Sequence, residues 1–192
     1  YYLENNQKSF KEDSFNEIDS LILAYLSYFH FPSTLTKLKD LDISKTTKVN
    51  KNREFIKKVI VSKRYKDIEL CFYVEDTNDL IEKQFSAVTF LLPNNTMYLS
   101  FRGTDSTLTG WKEDFNMAYT LPVPAQKEAL NYVEKITKLI PRKFYIGGHS
   151  KAGNLAVYAA CNLTDNLSRR IIKIYSHDGP GFIKEFLTTS NY

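Results

Sequence analysis

Ser150 sits in R-K-F-Y-I-G-G-H-S-K-A-G-N-L-A-V-Y-A-A-C-N-L, residues 142–163, which reads as a short apolar strand, a glycine-flanked serine and a helix of small residues. A serine on so sharp a strand-to-helix bend is a nucleophile elbow. The strained turn exposes the hydroxyl, and the neighbours two residues away must be small so that strand and helix can approach. Gly148 meets that need on one side. On the other, Ala152 stands where a second glycine is expected; it adds only a methyl group, and Gly153 follows at once. The chemistry implied is acyl transfer, in which Ser150 attacks a carbonyl carbon and the carbonyl oxygen gains negative charge. Two backbone N–H groups must face that oxygen, and the residue after the serine, Lys151, supplies one. The competing reading is a helix N-cap serine in a tight turn, whose hydroxyl would bond the first helical N–H groups.

A serine nucleophile needs a base, and the sequence holds three histidines, His30, His149 and His177. His149 precedes the serine on a strand end, where successive side chains diverge, so it is expected to pack or bond locally. His30 belongs to the helical N-terminal region and reads as structural. His177 stands at the end of a strand but adjoins Asp178 instead of being held by it across a site. Asp178 is the better candidate, as the acid. Lys151 as a base in a Ser-Lys pair is disfavoured, because a helical neighbour at the next position points about 100° away. The base and acid are therefore expected beyond Tyr192, with the α/β core truncated at its C-terminal end; the alternative is a non-catalytic relative that keeps the elbow as a scaffold or binding pocket.

The elements that must position these groups follow from periodicity. Ser14 and Glu17 read as a capping box, and Phe15, Ile18, Leu21, Ile22, Tyr25, Leu26 and Phe29 recur at helical spacing as a core-facing set. Shorter helices are expected over 35–41 and 53–62. Strands follow at 68–74, 83–92 and 97–102, with a turn at 76–79 and a hairpin at 93–95. Helices are expected over 110–119 and 124–140, the second opened by Pro124, then a strand 143–147, a helix 151–163 and a strand 171–176. The alternation after residue 97 predicts an α/β fold, with a mostly parallel sheet, helices on both faces and right-handed crossovers. The expected organisation is one domain, with a helical region 1–64 and an α/β core 65–192. Functional loops should lie at the carboxyl ends of the strands. Three such ends carry unusual sequence: F-R-G-T-D at 101–105, G-H-S-K-A at 148–152 and S-H-D-G-P-G-F at 176–182.

The run F-R-G-T-D-S-T-L-T-G-W-K-E-D-F, followed by G-G-H-S-K-A-G-N-L-A, resembles the class 3, fungal-type lipases of the α/β-hydrolase fold. It is more similar to uncharacterised bacterial lipase-like proteins that share the S-K-x-G-N-L-A elbow and the D-G-P-G-F loop. The resemblance covers roughly residues 65–182. It implies Ser150 as nucleophile, Thr104 as the oxyanion residue after Arg-Gly, and Trp111 and Asp114 as a W-x-x-D pattern. The D-G-P-G-F loop then shapes the pocket. Beside these, Arg102 and Asp114 are expected to form a buried ion pair that holds the Thr104 loop, with Asp105 and His149 as further pocket or support residues. Trp111 is expected to anchor its helix in the core. The function implied is a lipase-like or esterase-like serine hydrolase acting on a small acyl ester or lipid, with neither a metal nor an organic cofactor.

Composition bounds these readings. The protein has 192 residues, 43% hydrophobic and 14% aromatic, enough for one sizeable core. No run approaches the roughly 18 apolar residues of a membrane span, and no signal peptide is visible, so the expected location is cytoplasmic. Cys71 and Cys161 have neither metal nor redox spacing and read as buried free thiols. Residues 36–66 hold eleven Lys and Arg against three acids, a balance of +8 in a protein of net +4. That segment suits peripheral contact with an anionic membrane, or else is a solvated lysine-rich face. No nucleic-acid motif or stacking array accompanies the charge, so no nucleic-acid partner is expected.

Overall fold

The computed structural model describes residues 1–105 and 107–189. Its centre is a six-stranded sheet in the order β1 to β6: Thr36–Lys37, Glu69–Asn78, Lys83–Leu91, Met97–Phe101, Phe144–His149 and Ile171–His177. The helices are α1 Tyr2–Asn5, α2 Glu17–Leu26, α3 Ile43–Thr46, α4 Asn50–Val61, α5 Leu108–Asn116, α6 Pro124–Leu139, α7 Lys151–Cys161, α8 Asp165–Ser168 and α9 Lys184–Leu187. Strands β1 to β4 pair antiparallel, while β4, β5 and β6 pair in parallel. The architecture is α/β with a mixed sheet and an N-terminal helical segment. Its parallel part is the part that carries the serine.

Pleat alternation assigns each side chain of β4 and β5 to one of two cores. Met97, Leu99, Phe101, Phe144 and Ile146 face α6 and α7. Tyr98 and Tyr145 face the opposite way, where α2 lies across β4, β5 and β6. That second core takes in Leu23, Leu26 and Phe29 from α2 and its exit, with Ile56 and Val59 from α4.

Several local expectations are corrected. The α2 capping box is formed by Asn16 and Asp19, not Ser14 and Glu17: Asn16 accepts from the Ile18 and Asp19 N–H groups, and Asp19 accepts from the Asn16 N–H. An Asp whose carboxylate already serves a buried arginine outcompetes a solvent-facing Glu for that role. Arg64 donates to Asp19 through Nε at 2.7 Å and Nη2 at 2.5 Å, and to the carbonyls of Lys8, Asp13 and Ser14. The expected helix over 35–41 is instead β1 followed by a 3-10 turn, Leu38–Asp40, because Thr36 and Lys37 pair with Leu70 and Glu69. Strand β2 runs past the expected turn to Asn78, with a bulge between Cys71 and Val74 where Phe72 takes φ 52°. Cys71 is buried, but Cys161 is only partly so. In the basic segment, Arg64 is wholly buried, and Lys39, Lys57 and Lys58 pair with Asp67, Glu54 and Glu4. No described helix is long and apolar enough to cross a membrane.

Candidate active site

Strand β5 ends at His149, and the backbone turns at Ser150 with φ 58° and ψ −134°. An L-residue held in so sparsely populated a region costs about 1–3 kcal/mol. Packing on both sides maintains it. The Ser150 N–H donates to the His177 carbonyl on β6 at 2.8 Å, and its own carbonyl accepts from the Gly153 N–H at 2.8 Å. The hydroxyl makes no capping bond. The N-cap reading is therefore set aside, because the one group that would justify it is left unused.

The small residues around the serine each answer to a different neighbour. A Cβ on Gly148 would collide with the Ala152 methyl and lie 2.9 Å from the Ala152 carbonyl carbon. One glycine thus makes room for the alanine opposite, which is why the second glycine of the pattern is dispensable here. A Cβ on Gly153 would lie 2.6 Å from Ser176 Oγ and 3.2 Å from Gly179 Cα, so Gly153 serves the loop after β6. Buried Asn154 serves it too: Nδ2 donates to the Pro180 and Gly181 carbonyls at 3.1 Å, and Oδ1 accepts from Gln126 Nε2 at 2.8 Å. The S-K-A-G-N-L-A and D-G-P-G-F segments are one packed unit.

The loop after β4 reaches the elbow through Gly103. A Cβ there would lie 2.6 Å from the His149 carbonyl oxygen and 3.4 Å from Ser150 Cβ, and would collide with Tyr28 Oη. Thr104 follows, and its N–H has no acceptor among the described residues. Lys151 opens α7, so its N–H has no intrahelical acceptor either. Thr104 thus follows a glycine packed on Ser150, and Lys151 follows Ser150 itself. Thr104 is fixed by its hydroxyl, which donates to the Asp114 carboxylate on α5, and Gly110 lets α5 come close: a Cβ there would lie 3.0 Å from Thr104 Cγ2. Burial raises the Asp114 carboxyl above its usual range, an effect that the Thr104 hydroxyl partly opposes.

The expected Arg102–Asp114 ion pair does not form. Arg102 Nη2 instead lies 2.7 Å from Glu75 Oε1 and 3.6 Å from Asp105 Oδ2. Its side chain follows the pleat toward β2, away from α5. Asp105 also accepts from the Thr107 N–H at 2.9 Å, steadying the start of α5. Trp111 does not anchor the core; it is 56% exposed on the outer side of α5. The Lys151 side chain is fully buried, and Nζ donates to the Gln84 carbonyl and Gln84 Oε1 at 2.8 Å and to Glu113 Oε2 at 2.9 Å. Glu113, equally buried, also accepts from the Gln84 and Ala125 N–H groups. This ion pair joins β3, α5, α6 and α7 directly behind the elbow.

None of the three histidines hydrogen-bonds the Ser150 hydroxyl. His177 Nε2 lies 2.9 Å from Ser20 Oγ, which in turn donates to Tyr98 Oη. Burial, with His149 nearby, lowers the His177 pKa below its ordinary value. His149 Nδ1 lies 3.5 Å from Tyr28 Oη, and His30 Nδ1 lies 3.1 Å from Glu75 Oε2. Asp178 takes φ 53°, is exposed and holds no histidine among the described residues. Nor do the described residues include a group of three or more His, Cys, Asp or Glu placed to hold a metal ion.

Sequence reasoning missed the wall beside the serine. The pleat puts His149 on the α2 face, where it lines a cavity of about 620 Å³ with Leu21, Ile22, Tyr25, Tyr28 and Phe55. A Cβ on Gly103 would collide with Tyr28 Oη, so the cavity wall and the Thr104 loop pack directly on each other. Burial raises the Tyr28 pKa. The signal was present in α2, whose apolar positions spread too far round the helix to be all core. Ile18 and Leu21 are each 46% exposed, and Tyr25 is 37% exposed.

Among solved structures, the crystal structure of M37 lipase aligns with 88% of this chain at 17% identity and a TM-score of 0.49. The protein spans 60% of that lipase's length. No curated protein matches the sequence. The Mbeg1-like family profile matches residues 59–192, well over half of the sequence and all of the elbow, the Thr104 loop and the D-G-P-G-F loop. By that match the chain belongs to the Mbeg1-like family.

Proposed function

We propose that this protein is a lipase-like or esterase-like serine hydrolase in which Ser150 attacks an acyl ester. The backbone N–H groups of Thr104 and Lys151 would then stabilise the oxyanion. The observation that carries this reading is the Ser150 backbone at φ 58° and ψ −134°, with a hydroxyl committed to no cap. Positive φ is uncommon for a residue with a Cβ, and presenting a nucleophile on the strand-to-helix turn is a reason for it at Ser150. Attack forms the Ser150 Oγ–carbon bond and moves the carbonyl π electrons onto oxygen, where the two donors meet them. Collapse expels the alcohol, and water then releases the acid. A donor of this kind lowers the barrier by about 3–4 kcal/mol in a comparable hydrolase.

The Ser150 proton needs an acceptor, and His30, His149 and His177 are engaged elsewhere. None of these three, which are all the histidines of the sequence, is placed to take that proton, so the reading rests on the nucleophile and the oxyanion donors. That same engagement favours a second reading, a binding module that keeps the elbow as scaffold. Hydrolysis of a p-nitrophenyl ester by the native protein separates the two. The hydrolase reading expects turnover that Ser150→Ala reduces at least a thousandfold with unchanged folding. Equal turnover by the variant, or none by either protein, contradicts it.

A further inference from the structure

We propose that the cavity between α2 and α4 is a fatty-acyl subsite, and that its occupant is a single unbranched acyl tail whose carbonyl end lies at Ser150. The cavity lies beside the nucleophile, with His149 in its wall and Ser150 itself outside the lining. Gly103 is pressed between Ser150 and Tyr28, His149 precedes the serine, and Tyr28 and His149 are both cavity walls. The other four lining residues are Leu21, Ile22, Tyr25 and Phe55. The polar tips of the lining are few, and two of them, Tyr28 Oη and His149 Nδ1, sit together at the serine end. None of the lining residues bears a carboxylate or an ammonium group. A tail without charge fits the far end, and a polarised carbonyl fits the near end. The volume of about 620 Å³ lies within the usual range for small-molecule sites. Leu21 and Tyr25 meanwhile leave much of their apolar surface in water, which an alkyl tail would cover.

Residues 21–55 of this wall lie outside the family match of 59–192. Preference for tail length is thereby carried by the N-terminal segment, separately from the elbow. Placing the carbonyl at Ser150 rests on the hydrolase reading; tail binding does not.

The test is displacement of the fluorescent fatty acid cis-parinaric acid by dodecanoate, using the native protein, Ser150→Ala, Leu21→Trp and Tyr25→Ala. The native protein and Ser150→Ala should bind saturably and within about twofold of each other. Leu21→Trp, at a half-exposed position that tolerates bulk, should weaken binding about tenfold or more at an unchanged thermal midpoint. Tyr25→Ala should shift preference toward hexadecanoate. Absence of saturable binding, equal binding by Leu21→Trp, or a dimer that seals the groove and binds no fatty acid would overturn the subsite. Fluorophosphonate labelling of Ser150 without fatty-acid binding overturns the subsite alone. Binding without labelling overturns the hydrolase reading alone.

Discussion

Ser150 carries its strain because two residues hold its backbone, the His177 carbonyl on one side and the Gly153 N–H on the other. The strain belongs to the backbone, so it responds to glycine and not to alanine. Ser150→Ala keeps a Cβ at φ 58° and should leave stability near that of the native protein. Ser150→Gly removes the Cβ penalty but makes the unfolded state more flexible. We expect the glycine variant to exceed the alanine variant by about 1 kcal/mol in urea unfolding, with both inactive. Equal stabilities would mean that the turn is unstrained. The serine itself was legible in the sequence because glycine spacing is a local signal. Tyr28 was not, since its contact with Gly103 spans two distant segments.

At the scale of elements, the elbow is backed by the Lys151–Glu113 pair. Both side chains are fully buried, and Gln84 Nε2 beside them has no hydrogen-bond partner among the described residues. Removing one partner of a buried pair strands the other, at a cost of about 3–5 kcal/mol. Lys151→Met should therefore destabilise by about that much. Lys151→Met combined with Glu113→Gln should recover part of the loss, and a double-mutant cycle with additive effects would contradict the pairing. Lysine after the serine suggested only an N–H donor in the sequence, because periodicity does not say which residue on another helix waits for its ammonium. The same limit explains Arg102, assigned to Asp114 and found with Glu75 and Asp105. Elements with clean patterns, α6, α7 and β3 to β6, fell close to expectation. The segment at 35–41 did not, because pairing with β2 overrode a weak helical pattern.

Across the whole molecule, the contacts that fasten the N-terminal segment to the α/β core include Tyr65 on Asp19 and His177 on Ser20. The second of these is sensitive to pH. Burial lowers the His177 pKa below 6.5, and the nearby His149 lowers it further, while Glu17 works the other way. The unfolded state therefore takes up this proton first as pH falls. The contribution of His177 is fully present above pH 6.5 and is lost progressively as pH drops toward the folded value. Urea midpoints should decline between about pH 7.5 and 5.5, and less steeply in His177→Gln; identical slopes would remove His177 as the cause. The fastening matters because α2 and α4 supply the proposed acyl wall, whereas the Mbeg1-like match begins at residue 59. The central claim is that the elbow presents Ser150 as a nucleophile. Its most direct test is fluorophosphonate treatment of the folded native protein followed by peptide mass mapping. A single adduct on Ser150, absent in Ser150→Ala, is the predicted result; no adduct, or an adduct on another residue, would contradict it.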